Sequence, residues 1–129
     1  MLAPWAAEYV GIPYRFGGLA RDGADCWGLV RMILAEKFGK ELPAFARDES
    51  QEELSRIADE ARATLGAEAV ETAEPGDILL LSILGLPSHV GVVVGDGYML
   101  HTLGTLQCSA LERYTSPRWA PRVRGVYRV

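Results

Sequence analysis

Three side chains in this sequence have the chemistry of a nucleophilic reaction: the cysteine Cys26 and the chain's two histidines, His89 and His101. A thiolate attacks a carbonyl carbon, an adjacent imidazole takes the thiol proton, and a further polar group holds that imidazole in place. Cys26 follows Asp25 and precedes apolar residues at helical spacing, Leu29, Val30, Ile33, Leu34 and Phe38. Asp25 is therefore the expected N-cap, and Cys26 falls in the first helical turn. Free backbone N–H groups and the positive end of the helix dipole collect there and favour thiolate over thiol. His89 is the expected base and His101 its orienter. Asn, Asp or Glu holds the base more often, but a neutral imidazole can accept from one ring N–H of His89.

The elements that must position these groups follow from the pattern of the chain. Residues 3–10 read as a short helix with Pro4 in its first turn and Gly11 at its end. Residues 12–25 form a loop in which Gly17-Gly18 permits close backbone approach. The helix from Cys26 runs to about Phe38, with Gly39 as its C′ residue. After an irregular link at 40–49, Ser50-Gln51-Glu52-Glu53 fits a capping box. The helix behind it buries Leu54, Ile57, Ala58, Ala61 and Leu65 and stops at Gly66. Glu74-Pro75-Gly76-Asp77 is a turn, with Asp77 a turn former. Ile78–Leu81 reads as a buried strand, 83–88 as a loop, His89–Val94 and Tyr98–Leu103 as a hairpin, and 105–110 and 122–128 as further short strands. Helices first and an antiparallel sheet second predict an α+β fold.

The hairpin decides whether the histidines meet. A two-residue loop at Asp96-Gly97 would set His101 opposite Val92 and turn His89 to the other face. A three-residue loop, Gly95-Asp96-Gly97, sets His101 opposite Gly91 with His89 its diagonal neighbour at roughly 7–8 Å. The second register leaves Val90, Val92, Val94 and Leu100 together on an apolar face, so it is the expected one. His89 then stands near the sheet edge, and Gly91 leaves room for a neighbouring helix end.

Composition sets the outer limits. The chain has 129 residues, 49% hydrophobic and 23% charged, with a formal charge of −4. That is one globular domain, able to bury roughly two thirds of its unfolded surface. An acidic balance does not fit a nucleic-acid partner. No apolar run reaches membrane-spanning length, so no membrane insertion is expected. The start Met1-Leu2-Ala3-Pro4-Trp5 lacks a basic region leading into an apolar core, which predicts cytoplasmic synthesis without a signal peptide.

The ordered set Gly11-Ile12-Pro13-Tyr14-Arg15-Phe16-Gly17-Gly18, Asp25-Cys26-Trp27-Gly28-Leu29-Val30, Pro75-Gly76-Asp77-Ile78, Ser88-His89-Val90-Gly91-Val92-Val93-Val94-Gly95-Asp96-Gly97 and Met99-Leu100-His101 resembles the NlpC-type family of papain-like cysteine peptidases. That family cleaves bacterial cell-wall peptides. The resemblance implies one domain over residues 1–129, with N-terminal helices packed on a C-terminal antiparallel sheet. It implies Cys26 as nucleophile, His89 as base and His101 as third polar residue. It places the Tyr14 hydroxyl near the thiol, where it helps backbone N–H groups hold an oxyanion, and sets Asp25 and Trp27 in the same oxyanion and substrate-binding neighbourhood. The implied reaction is hydrolysis of the D-γ-glutamyl–diamino acid bond of murein stem peptides through a thioester, with no cofactor. Trp27 stands where many members carry Ser, which alters the pocket wall. The Asp-Cys-Trp-Gly-Leu variant looks like tail-associated members from phages and gene-transfer particles, which implies tail or baseplate partners and a place in the particle.

Other readings stay open beside this one. The chain is alternatively a non-catalytic tail component, or a papain-like amidase or acyltransferase acting on another γ-glutamyl or lipid amide. Cys26, Cys108, His89 and His101 lack the close ligand pairs of a zinc site, so no metal is expected. Cys108 is expected to pack in a strand, Trp5, Trp27 and Trp119 to pack in the core or its rim, and the acidic stretch Glu49–Glu74 to form a solvated helix face.

Overall fold

The central element is α1 (Cys26–Phe38). Its start is fixed by Asp25, whose side chain accepts from the Gly28 N–H at 2.8 Å. Its end is fixed by Gly39, which takes the left-handed conformation at φ 64° and donates its N–H to the Leu34 carbonyl. Trp27–Val30 and Met32–Leu34 are buried, so the helix is apolar almost all round, as a helix inside a protein must be. Phe38, the last residue of the apolar spacing, lies at the surface at 37% exposure.

The computed structural model describes residues 1–44 and 51–129, with the backbone alone at 51–54 and 57. A second helix, α2 (Gln51–Leu65), ends at left-handed Gly66. Ala61 is buried and Ala58 and Leu65 half-buried, as its spacing predicts. Ser50 of the capping box and the side chains of Leu54 and Ile57 lie outside the described residues.

The strands are β1 (Leu19–Ala20), β2 (Gly23–Ala24), β3 (Glu68–Ala69), β4 (Ile78–Ile83), β5 (Leu86–Gly95), β6 (Tyr98–His101), β7 (Ala110–Arg113) and β8 (Val123–Arg128). β1 and β2 form a small ribbon, and the others an antiparallel sheet in the order β3-β8-β4-β5-β6-β7. Both faces of the sheet are covered. Ile78, Val92, Val94 and Leu100 pack with Leu29, Val30, Ile33 and Leu34 of α1. Leu79, Leu81, Val93 and Met99 pack with Trp119. Burial on both faces is why Ile78–Leu81 is an unbroken apolar run instead of an alternating one. The result is a small α+β fold with helices in the first half of the chain and the sheet in the second.

Several boundaries differ from the sequence pattern. The expected helix at 3–10 is a single 3₁₀ turn, Ala6–Tyr9. Both its flanks are pinned to the sheet side, Ala3 N–H to the Val94 carbonyl and Gly11 N–H to the Ser109 carbonyl, which leaves no length for more. The expected loop at 83–88 is instead a tight turn at Leu84-Gly85, both with positive φ, and β5 begins at Leu86. The expected strand at 105–110 starts five residues later, because 103–107 closes as a turn with Gln107 left-handed at φ 66°. Cys108 makes only an isolated bridge with Pro13 and belongs to no strand. β3, which closes the far edge of the sheet, was not signalled by the acidic stretch that contains it.

The β5–β6 hairpin has the expected register by another route. The turn is the two-residue one, Asp96-Gly97, with positive φ at both, and it pairs Gly95 with Tyr98. A bulge between Val93 and Gly95 then shifts the ladder, so Val93 faces Met99 and Val92 faces Leu100.

Candidate active site

Asp25 does two tasks at the start of α1. One oxygen caps the helix at Gly28, and the other accepts from the Gly17 N–H at 2.9 Å. The Asp25 N–H reaches back to the Gly18 carbonyl. A Cβ at Gly28 would lie 1.9 Å from that carbonyl oxygen, so only glycine lets the loop rest on the helix's first turn. The loop of residues 14–18 is thereby clamped against the turn that carries Cys26. The Asp25 carboxylate is 2% exposed, so the structure gives it the work of a brace.

His89 and His101 meet as the register predicts. His89 Nε2 and His101 Nδ1 are hydrogen-bonded at 2.9 Å, with ring centroids 5.2 Å apart. His89 lies where β5 reaches past the end of β6: the ladder to β6 runs from Val92 onward, while the ladder to β4 runs from Leu86 to Val92 and includes His89, opposite Leu81. Gly91 has a different use from the one expected. A Cβ there would lie 3.2 Å from the Leu100 carbonyl oxygen and 3.3 Å from His101 Cβ, so the glycine makes room for the neighbouring strand and not for a helix end.

Trp119 covers the pair. Its ring lies 6.1 Å from that of His89 and 5.0 Å from that of His101, the second contact edge-on. Arg118 and Arg122 lie over the same indole, each at 5.2 Å. Burial, and then the neighbouring His101, hold His89 well below its ordinary 6.5, at about 3. Burial also lowers His101, against the opposing pull of Glu112. Both rings are therefore neutral at neutral pH. Glu112, on β7, closes the row: its Oε2 lies 2.5 Å from His101 Nε2.

Cys26 opens into a cavity of about 70 Å³. Trp27, Ala58, Ala61, Leu65 and Leu80 line it, together with Ser88 and Val90, the two residues that flank His89. The cavity thus joins the start of α1 to the stretch of β5 that carries the base candidate. Trp27 is a wall of it, its indole N–H donating to the Pro43 carbonyl at 2.8 Å. Tyr14 lies on the clamped loop, with its N–H on the Gln107 carbonyl and its ring against Gly104. Among the described residues no group of His, Cys, Asp and Glu is arranged to hold a metal ion.

The NlpC/P60 family profile matches residues 11–128, from the glycine before the clamped loop to the end of the sheet. The chain belongs to the NlpC/P60 family. Murein DD-endopeptidase MepS/Murein LD-carboxypeptidase of Escherichia coli (strain K12) is 28% identical over 95% of this chain and 58% of its own length. Gamma-DL-glutamyl hydrolase of Bacillus subtilis (strain 168) is 29% identical over 95% of this chain and 27% of its own. The chain thus spans a little over half of the first relative and about a quarter of the second. The crystal structure of the NlpC/p60 domain of peptidoglycan hydrolase SagA superposes with a TM-score of 0.66 over 96% of this chain and 92% of that one, at 22% identity, which establishes the shared fold.

Two parts of this NlpC/P60 site are not marked by the sequence pattern. Glu112 lies in a segment whose register cannot be read before the turn at 103–107 is known. Trp119 reads as ordinary core, and only the strand order shows that it covers the histidines. The signal that does exist is the run of arginines around it, Arg118, Arg122 and Arg124 in a chain that is acidic as a whole.

Proposed function

We propose that this chain is a cysteine endopeptidase of murein stem peptides, cutting the D-γ-glutamyl–diamino acid bond. Cys26 is the nucleophile, His89 the general base and His101 the group that orients it. The thiol proton passes to His89, the thiolate adds to the amide carbonyl, and the protonated imidazole delivers that proton to the leaving amine, giving a thioester that water resolves. Tyr14 and the backbone N–H groups at the start of α1 hold the developing oxyanion, and Trp27 shapes the adjacent wall. The observations that carry this reading are the buried, hydrogen-bonded His89–His101 pair and the capped helix start that presents Cys26 in a cavity also lined by Ser88 and Val90, the residues on either side of His89. The peptidoglycan-directed names of the relatives agree with it.

Mass spectrometry of muropeptides incubated with the wild-type chain and with Cys26→Ser tests it. Cleavage by wild type alone, at the D-glutamyl–diamino acid bond, is expected. Equal cleavage by Cys26→Ser would remove Cys26 from its role.

One observation favours a second substrate class: although Arg62, Ser88 and Tyr127 are among its lining residues, the cavity beside Cys26 presents a mostly apolar surface, which suits an acyl amide better than a polar stem peptide. A competition between a γ-glutamyl peptide and an N-acyl amide separates the two. We further propose that the chain works as a single unit in a phage-like tail or gene-transfer particle, a reading that rests on the Asp25-Cys26-Trp27-Gly28-Leu29 variant. Mass spectrometry of purified particles checks this.

A further inference from the structure

We propose that Glu112 is a positioning residue that sets the proton arrangement of the histidine pair from its far end and so leaves His89 Nδ1 as the base nitrogen. The proposal rests on reading His89 as the base of Cys26, and adds what decides which of its nitrogens is free.

Three groups stand in a row. His89 Nε2 meets His101 Nδ1 at 2.9 Å, and His101 Nε2 meets Glu112 Oε2 at 2.5 Å. The other carboxylate oxygen, Oε1, faces the Arg118 guanidinium at 3.8 Å. A carboxylate has acceptors only. The proton of the His101–Glu112 bond therefore sits on His101 Nε2. A neutral imidazole has one N–H, so His101 Nδ1 is a bare acceptor. The bond between the rings must then be donated by His89 Nε2–H, and a neutral His89 is left with a lone pair on Nδ1.

Without the carboxylate the opposite order costs nothing more. His101 Nδ1–H would donate to His89 Nε2, and the His89 proton would sit on Nδ1, where it cannot receive one from a thiol. Burial makes this choice consequential, because the residues are 2% and 0% exposed and water cannot supply the missing partner. The depressed protonation of both rings keeps them in the neutral forms that this ordering needs.

The ordering also suits the proton transfer. When the thiol proton reaches His89 Nδ1, one S–H bond breaks and one N–H bond forms, giving thiolate and imidazolium. His89 Nε2–H goes on donating to His101 Nδ1, and no other proton moves. Among the described residues, the charged groups shown against this row are Glu112 itself and Arg118 beside it.

The backbone explains why this position can do it. His101 pairs with Ala110 across β6 and β7, and Met99 with Glu112. Glu112 is two residues beyond Ala110, hence on the same sheet face as His101.

The test uses the full chain as wild type, Glu112→Gln and Glu112→Ala. Long-range ¹⁵N–¹H spectra at neutral pH read the tautomer of each histidine directly. Wild type is expected to show His101 protonated at Nε2 and bare at Nδ1. Glu112→Gln, whose amide oxygen still accepts, keeps that pattern, while Glu112→Ala gives mixed tautomers. Iodoacetamide alkylation of Cys26 slows in Glu112→Ala, and kcat on stem peptides falls roughly 10- to 100-fold with KM unchanged, the loss expected for a hydrogen bond to a charged group. A residue that merely supports the fold would leave the tautomers in place.

Wild-type His101 protonated at Nδ1 would overturn the proposal, as would wild-type tautomers and alkylation in Glu112→Ala. If Glu112→Ala does not fold, the wild-type and Glu112→Gln spectra still decide. The spectra and the alkylation need no substrate, so a chain inactive on murein would defeat the proposed function and leave this test standing.

Discussion

Replacing Asp25 with alanine takes away at least two hydrogen bonds at once, those to the Gly28 and Gly17 N–H groups, and these two losses differ in kind. The Gly28 N–H, held at 2.8 Å by Oδ1, is buried at the first turn of α1. Loss of an N-cap costs about 1 kcal/mol, up to about 2 where the orphaned N–H cannot reach water. The Gly17 N–H, held at 2.9 Å by Oδ2, lies on an exposed residue and recovers most of its bond from water, so about 0.5–1 kcal/mol is lost there. The total from these two is about 1.5–3 kcal/mol. With a urea slope of about 2 kcal/mol per molar, the midpoint falls by roughly 1 M. Asparagine is as good a cap at Gly28 but turns an NH₂ toward the Gly17 N–H, so Asp25→Asn should lose about 1 kcal/mol. Urea unfolding followed by far-UV circular dichroism measures both. A midpoint for Asp25→Ala within about 0.2 M of wild type, at unchanged slope, would refute the assignment of Asp25 as the brace between loop and helix.

Acid should weaken the fold through the buried histidines. His89 titrates near 6.5 when unfolded and near 3 when folded, so below about 6.5 the unfolded chain binds a proton that the native chain refuses. Stability is therefore full above that value and falls as the pH drops toward 3, by at most about 1.4 kcal/mol per pH unit from this group. Urea midpoints at pH 7 and pH 5 should differ more in wild type than in His89→Gln, and equal differences would count against it. Trp119→Ala should cost about 3–5 kcal/mol, since the indole is 1% exposed and covers both rings. Trp119→Phe should cost much less, because the indole Nε1 is buried with no partner among the described residues and its loss removes an unsatisfied donor. In Trp119→Phe an NMR titration should find His89 still depressed; a return to 6.5 would mean that the ring itself, not enclosure by the sheet, keeps it neutral.

What was legible in the sequence is what local chemistry decides. Asp25 as cap and Gly39 as stop bound α1 because each acts within one helical turn. The meeting of His89 and His101 was legible because any other register would have put polar and apolar side chains on one face. The turn that delivers this register was not, because a two-residue turn and a bulge together reach the pairing that a three-residue loop was expected to give. β5 begins early because Leu84 takes a left-handed conformation at φ 52°, which no turn signal announces. The short 3₁₀ turn at Ala6–Tyr9 shows the opposite limit, where tertiary pins overrule a sequence that can form helix.

The same division runs through the site. Its two ends rest on different kinds of information. The Cys26 end is built from neighbours in sequence: a glycine loop, a cap and a glycine at position 28 that admits the loop. The histidine end is built from strands that meet only once the sheet is assembled, with Trp119 from one crossing and Glu112 from another. A substitution at Asp25 or Gly28 should therefore disturb the thiol's surroundings, and with them the His89 nitrogen that takes its proton, while leaving the tautomer of His101 unchanged. A substitution at Trp119 should move the imidazole spectra of His89 and His101 and leave the helix cap intact. A changed His101 tautomer after Asp25→Ala would show that the two ends are coupled through more than the proton passed between Cys26 and His89, and the separation drawn from their folding would not hold.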